Sequence, residues 1–203
     1  MTARAAAAFD FDGTLTRRDT LLPFLASIAG PRALAGALTA DVPRLGLAAA
    51  GRGDRDATKA RLLRRLLQGR PYDEVEAGGR RFGARIASSW ISPELRERLA
   101  WHRSRAHEIV IVSASLEVYL LEVARVLPID CVLSTRLEVD EQGRCTGRML
   151  GANCRGPEKA ARLTAHLGDG GRLLWAYGNS RGDDEMLALA RHPVRVRRGR
   201  LRD

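Results

Sequence analysis

The sequence has little lysine, cysteine or aromatic residue, and no uncharged apolar run long enough to cross a bilayer. Of 34 basic residues only Lys59 and Lys159 are lysine. So lopsided an arginine bias reads first as a coding habit, which leaves each lysine in need of a reason. Cys131, Cys145 and Cys154 form an odd set without C-x-x-C spacing, which excludes a disulfide framework and a zinc site and fits a reducing cytoplasm. With aromatics at 5%, among them Trp90, Trp101 and Trp175, there is no stacking platform for bases, so no nucleic-acid partner is expected. The Leu/Ala/Gly-rich stretch Leu21–Gly51 is broken by Arg32, Asp41, Pro43 and Arg44 before about 18 apolar residues accumulate, so it is no membrane span. The N-terminus carries no cleavable secretory pattern, and the chain is expected to begin near Met1.

What is present is enough apolar material for a real core: 203 residues, 45% hydrophobic, with a net charge of +10. That charge suits nucleic acid, an anionic membrane surface or an anionic substrate, and does not choose among them. Short Val- and Ile-rich runs recur at Ala5–Asp10, Glu108–Val112, Ile129–Leu133, Leu173–Tyr177 and Val194–Val196, most followed by helix-like segments. The alternation predicts an α/β fold, a Rossmann-like parallel sheet with helices on both faces. Proline behind a capping residue marks helix starts at Ser92-Pro93-Glu94 and Gly156-Pro157-Glu158. Arg136–Asp140 and Arg144–Met149, flanking Glu141-Gln142-Gly143, predict a β-hairpin projecting from the sheet.

Roughly ninety residues separate the first strand from the second, far more than a simple connection needs. They look wholly helical and predict an inserted all-helical cap domain over 19–99, with 1–18 and 100–203 forming a discontinuous core. Within it, Asp56–Gln68 and Tyr72–Ser88 read as amphipathic, basic helices. The Leu/Ala-rich part either packs inside the cap or meets lipid. The terminal run Arg191–Arg202 reads as an edge strand kept soluble by charge.

The stretch Phe9-Asp10-Phe11-Asp12-Gly13-Thr14-Leu15-Thr16 places two carboxylates at the end of an apolar strand. A calcium loop begun at Asp10 would need glycine sixth and glutamate twelfth, whereas glycine is fourth and Leu21 twelfth. Two aspartates that merely cap a turn are a poor account of an apolar strand followed by Gly-Thr. The remaining reading aims both into one site at the carboxyl end of a parallel strand, where open α/β sheets bind ligands.

This stretch resembles the first motif of the haloacid dehalogenase superfamily, D-x-D-G-T-[LV]-T. The resemblance implies Asp10 as nucleophile, forming an aspartyl-phosphate, and Asp12 as general acid and base. Ser113-Ala114-Ser115 is similar to the second motif, implying that the Ser113 hydroxyl and the Ala114 amide hold phosphate oxygens. Lys159 resembles the third motif. It sits in the first turn of a helix, where the dipole disfavours a cation, and the resemblance implies that it neutralises Asp10 and the phosphoryl group. Gly178-Asn179-Ser180-Arg181-Gly182-Asp183 resembles the fourth motif, G-D-x-x-x-D, with Asn179 in place of the first aspartate. It implies magnesium held by Asp10, the backbone carbonyl of Asp12 and Asn179, with Asp183 close by.

Taken together the four motifs, the cap and the hairpin resemble the phosphoserine phosphatase-like subclass and imply a magnesium-dependent phosphomonoesterase. Asp19 stands where phosphoserine phosphatases carry a glutamate that reads the substrate ammonium. Asp19-Thr20-Leu21-Leu22-Pro23-Phe24-Leu25, Asn153-Cys154-Arg155-Gly156 and His192-Pro193-Val194-Arg195-Val196 resemble a branch containing bacterial phosphatidylglycerophosphatases, which makes Asp19 and Arg155 candidate specificity residues. The substrate is then a phospholipid phosphate, with the protein peripheral at the inner face of an anionic membrane, or phosphoserine or another small phosphorylated metabolite handled in the cytoplasm. A basic binding protein without activity is the non-enzymatic alternative, against which the set Asp10, Asp12, Ser113 and Lys159 weighs.

Overall fold

The computed structural model describes residues 5–39, 55–168 and 171–201. Asp41, Pro43, Arg44 and the second half of the apolar Leu21–Gly51 stretch lie outside the described residues, as do Met1 and Arg202.

Seven strands form one sheet: β1 (Ala5–Phe9), β2 (Glu108–Leu116), β3 (Cys131–Val139), β4 (Cys145–Leu150), β5 (Arg172–Gly178), β6 (His192–Arg197) and β7 (Arg200–Leu201), in the order β4-β3-β2-β1-β5-β6-β7. The five strands β3-β2-β1-β5-β6 run parallel, while β4 and β7 are antiparallel edges. Alanine is a poor strand former, yet four alanines make most of the central strand β1. Burial on both faces overrides that propensity. Ala7, Phe9, Ile109 and Ile111 face one apolar cluster, and Ala6, Ala8, Val110 and Val112 face the other. This is the α/β, Rossmann-like architecture that the alternating pattern predicts, except that the sheet is mixed at its edges.

Among the described residues, the helices between β1 and β2 are α1 (Leu21–Ala29), α2 (Pro31–Thr39), α3 (Arg55–Leu67), α4 (Tyr72–Ser89) and α5 (Pro93–Arg103). After β2 come α6 (Glu117–Val126), α7 (Pro157–Leu167) and the short α8 (Asp184–Ala188). Phe24 and Leu25 of α1, Leu63 and Leu67 of α3, and Phe82 and Ile86 of α4 belong to the same apolar cluster as one face of the sheet. The described half of the Leu/Ala-rich stretch therefore turns its larger side chains inward, and Leu22 is its one exposed large apolar residue. No helix among the described residues is long and apolar enough to cross a membrane. Close approach of α4 to α6 depends on Gly79 and Gly83, where a Cβ would collide with the backbone carbonyls of Val118 and Tyr119.

Two strand boundaries differ from the sequence reading. β3 joins Cys131–Leu133 of the first run and Arg136–Val139 of the hairpin's first arm in one strand, leaving Ile129 and Asp130 before it, because its first half pairs with β2 and its second half with β4. The hairpin projects onto the α3–α4 turn, where Gly69 N–H donates to the Cys145 carbonyl at 2.9 Å and Cys145 N–H to the Arg70 carbonyl at 2.9 Å. β2 runs on past Val112 to Leu116, with a register shift between Ser113 and Leu116 that lifts Ala114 and Ser115 out of the ladder.

Candidate active site

Asp10 and Asn179 follow the carboxyl ends of β1 and β5, Ser113 lies in the carboxyl-terminal half of β2, and Lys159 comes from the first turn of α7. All four line one cavity of about 470 Å³, together with Asp12, Asp19, Ala114, Arg155 and Asp183. Sequence-distant motifs thus converge as the strand-end reading requires.

Asp10 is anchored by its own N–H, which donates to the Tyr177 carbonyl at 2.9 Å, before the chain enters the wide turn Phe11–Leu15. Gly13 has φ +78°, and a Cβ there would strike the Asn179 amide. Only glycine suits both demands. Thr14 Oγ1 donates to Asp10 Oδ2 at 2.8 Å, and Lys159 Nζ donates to Asp10 Oδ1 at 2.6 Å. The same ammonium donates to Asp183 Oδ1 at 2.6 Å. Lys159 is 2% exposed and Asp183 1%, so these pairs are shielded from solvent. Burial opposes the Lys159 charge, but Asp10 and Asp183 outweigh it and raise its pKa, keeping the ammonium protonated. Burial likewise raises Asp10, and Lys159 and Thr14 pull against it.

Asp12 has a different environment. Ser115 Oγ donates to its Oδ2 at 2.6 Å and Thr20 Oγ1 to its Oδ1 at 2.7 Å, with Tyr119 Oη 3.0 Å from Thr20 Oγ1. Burial and the charge of Asp19 push its carboxyl up to about 7, against the pull of the two hydroxyls. Burial thus raises both carboxyls, but their partners differ: Asp10 meets a fixed cation, whereas Asp12 meets two hydroxyls and can hold a proton near neutral pH.

Ser113 Oγ accepts the Ser115 N–H at 3.0 Å, which leaves its own proton to donate. The carbonyl of the intervening Ala114 accepts from Lys59 Nζ, and Lys59 also donates to Asn153 Oδ1 at 2.7 Å. Asn153 in turn donates to Asp56 Oδ1 at 2.8 Å and accepts from Thr135 Oγ1 at 2.7 Å. Lys59 is 7% exposed, and burial lowers its pKa to about 8, against the charges of Asp56 and Asp12.

Toward a metal, the residues offer oxygen only. Among the described residues no group of three or more His, Cys, Asp or Glu side chains is placed to hold an ion by itself. Any cation must use backbone and amide oxygens beside Asp10. Asn179 Nδ2 donates to the Asp12 carbonyl at 2.9 Å, which sets this amide next to the very carbonyl the sequence assigns to magnesium. Exchanging the amide's two ends would direct Oδ1 there instead. Asp10, the Asp12 carbonyl and Asn179 thus form an oxygen donor set that fits a hard cation. Asp183 is more fully engaged: its Oδ1 meets Lys159, while its Oδ2 accepts from the N–H groups of Asn179 (3.1 Å) and Ser180 (2.9 Å) and from Ser180 Oγ (2.9 Å).

Asp19 lines the cavity and accepts the Leu21 N–H at 2.9 Å, opening α1. Arg155 lines it with its side chain against Gly182. Thr14, Thr20, Ser115 and Asn153 lie inside the quoted motifs, which assign them no role, and Arg17 and Arg198 lie outside them. Only Lys59 had a signal in the sequence, its rarity.

A family model of haloacid dehalogenase-like hydrolases matches residues 7–188. Protein CicA of Caulobacter vibrioides is 38% identical over 183 residues, 90% of this chain and 82% of that one. A crystal structure of a protein of unknown function from Bordetella pertussis Tohama I superposes with a TM-score of 0.77 at 22% identity, covering 92% of this chain and 87% of that one. A substrate-bound phosphoserine phosphatase superposes with a TM-score of 0.65 at 20% identity, covering 94% and 84%. Since the match runs through β1, the helices that follow it, β2, α7 and the Asn179 turn, and so takes in every motif residue of the cavity, the chain belongs to the haloacid dehalogenase-like hydrolases.

Proposed function

We propose that the protein is a magnesium-dependent phosphomonoesterase that works through an aspartyl-phosphate on Asp10, with the helices of 19–99 as the cap over its cavity. What supports this most is the meeting in one cavity of Asp10, beside the Lys159 ammonium, and Asp12, whose pKa of about 7 lets it carry a proton.

In the first half-reaction the Asp10 carboxylate attacks phosphorus and the bond to the leaving oxygen breaks. The protonated Asp12 gives that oxygen its proton, so an alcohol departs. Ser113 Oγ and the Ala114 N–H hold phosphoryl oxygens, and Lys159 offsets their charge. In the second half-reaction Asp12, now ionised, takes a proton from water as the water oxygen attacks phosphorus. The Asp10–phosphorus bond breaks, inorganic phosphate leaves and Asp10 is regenerated. Asp10, the Asp12 carbonyl and Asn179 would hold magnesium, whose positive charge would favour the ionised Asp10 and offset the charge of the phosphoryl group.

The test is phosphate release from a panel of phosphomonoesters with and without magnesium, for the wild type and Asp10→Asn. The expected result is magnesium-dependent turnover that Asp10→Asn abolishes without loss of fold. Turnover of Asp10→Asn near the wild-type rate would overturn the mechanism.

A further inference from the structure

The β6–β7 connection brings a residue from the far end of the sequence to the catalytic cavity. Arg197 pairs with Arg200, so Arg198 and Gly199 alone make the turn. Both have positive φ, +50° and +73°. Two successive left-handed residues give the hairpin turn that matches strand twist, and Asn-Gly or Asp-Gly tolerate it best. Arginine in the first place is unfavourable to the backbone, and such an outlier beside a site points to function.

The turn is also pinned in place. Gly199 N–H donates to the Gly13 carbonyl at 3.2 Å, and Ser92 Oγ donates to the Gly199 carbonyl. Leu201 N–H donates to Glu94 Oε1 at 3.0 Å. A Cβ on Gly199 would lie 2.8 Å from Ser92 Cβ and 3.1 Å from Arg17 Cγ, so the turn sits directly against Arg17 and the catalytic turn. Arg198 and Arg17 both line the cavity of Asp10 and Asp12, and among the described residues neither guanidinium has a hydrogen-bond or ion-pair partner. The nearby acids are otherwise engaged: Asp10 and Asp183 with Lys159, Asp12 with two hydroxyls, Asp19 with the start of α1. If charge were needed only to keep an edge strand soluble, Arg197 and Arg200 already supply it on either side.

We propose that Arg198, seconded by Arg17, reads a second anionic group on the substrate, so that the preferred phosphomonoesters are those whose leaving group is itself an anion. This rests on the phosphomonoesterase reading above. The guanidinium fork suits a carboxylate or a phosphodiester, which offer paired oxygens. A phosphodiester of that kind occurs in a lipid headgroup and in soluble metabolites alike.

The experiment compares kcat/KM for 2-phosphoglycolate and ethyl phosphate, which differ in carrying a carboxylate or a methyl, and for the cationic phosphoethanolamine. The proteins are wild type, Arg198→Asn and Arg198→Lys. Asparagine suits the turn better than arginine, so the first variant removes the charge without straining the fold. The expected wild-type order is phosphoglycolate, ethyl phosphate, phosphoethanolamine. The phosphoglycolate-to-ethyl-phosphate ratio falls about tenfold in Arg198→Asn, the worth of a charged hydrogen bond, and is partly restored in Arg198→Lys. A wild type indifferent to the carboxylate, or a preference that survives Arg198→Asn, overturns the proposal while leaving the phosphatase reading intact.

If no monoester is turned over, that reading fails on its own. Calorimetric titration of 2-phosphoglycolate and ethyl phosphate then decides this one: tighter, Arg198-dependent binding of the compound with the added carboxylate supports it, and equal or absent binding overturns it. A glycerol phosphate that also carries a phosphodiester, offered as the free headgroup and as the diacyl lipid in mixed micelles, separates the two sources. Preference for the micelles assigns the anion to a lipid, and preference for the free headgroup to a soluble metabolite.

Discussion

The Lys59 ammonium donates to Oδ1 of Asn153 at 2.7 Å, joining helix α3 to the loop that leads into α7. Through its second bond, to the Ala114 carbonyl, the same ammonium orients the peptide whose N–H engages Ser113 Oγ. A cation on the carbonyl end of a peptide polarises its N–H, so hydrogen bonds in such a chain reinforce one another. In the proposed mechanism, where Ser113 holds a phosphoryl oxygen, Lys59 is a positioning residue that acts through Ser113.

Lys59→Met, which keeps the length and loses the donors, is expected to destabilise the protein by about 1–3 kcal/mol, because two buried acceptors lose a partner. Affinity for inorganic phosphate as a competitive inhibitor is expected to weaken as well, and Lys59→Arg to recover part of it. Chemical denaturation and the inhibition constant check the two effects. Stability lost with phosphate affinity unchanged would reduce Lys59 to a structural clasp.

How far the sequence discloses this site depends on how each residue reaches it. Asp10 and Asp12 are legible because strand, carboxylates and glycine turn lie within eight consecutive residues. Lys159 is legible because a cation in the first turn of a helix runs against the dipole. Thr20 and Ser115 both bond Asp12, yet they stand 8 and 103 residues from it, and only the fold sets that geometry. Arg198 sits in a run of arginines that reads as one edge strand, whereas the run forms two strands, β6 inside the sheet and β7 at its edge, joined by the turn at Arg198-Gly199. Nothing local says that its turn folds back onto Gly13. The apolar pattern of β2 and β3 stops before the ladder does for a related reason: Ser113-Ala114-Ser115 and Ser134-Thr135 are polar residues inside the strands.

For Asp12 the consequence lies in leaving-group dependence. Asp12→Asn cannot supply a proton, which matters most when the departing alkoxide is basic. The loss in kcat/KM is expected to be roughly 100-fold or more for an alkyl phosphate and much smaller for an aryl phosphate such as 4-nitrophenyl phosphate. Equal losses on both substrates would contradict a general-acid role.

Acid stability should report on His102. This side chain is wholly buried, with Nε2 2.9 Å from Tyr177 Oη and Nδ1 2.8 Å from His107 Nδ1. Burial first, then His107, Arg98 and Arg105, lower its pKa to about 3. The unfolded chain therefore binds a proton on this group near pH 6.5 that the folded protein refuses until about pH 3. Stability from His102 is present in full above pH 6.5 and is lost as pH falls through that window, on the order of 2–4 kcal/mol in all. His102→Gln, which cannot titrate, should show a shallower decline between pH 6.5 and 4 by urea denaturation. Parallel curves for the two proteins would mean that His102 is protonated in the fold.

Asn179 provides the sharpest test of the metal assignment, because it departs from the family's aspartate and touches the Asp12 carbonyl directly. Asn179→Asp exchanges an N–H donor for an oxygen that repels that carbonyl. Without metal the variant should be less stable than wild type, by about 1–3 kcal/mol for the lost bond and the unpaired acceptor. With magnesium the sign reverses, since the new charge sits beside Asp10 and the carbonyl as a third oxygen ligand for a hard cation. Ligand binding to the folded state alone adds stability as RT ln(1 + [L]/Kd), so tighter binding appears directly as a larger magnesium-induced rise in Tm. The half-saturating magnesium concentration should fall in calorimetric titration too. The added charge also faces the incoming phosphate, so the maximal rate should change little or decline, with Lys159 offsetting part of the repulsion. A Tm shift and a calorimetric affinity both unchanged from wild type would remove Asn179 from the ligand set. Asp10 and the Asp12 carbonyl would then hold the ion without it, and Asn179 would be left as the residue that ties the β5 turn to the catalytic turn.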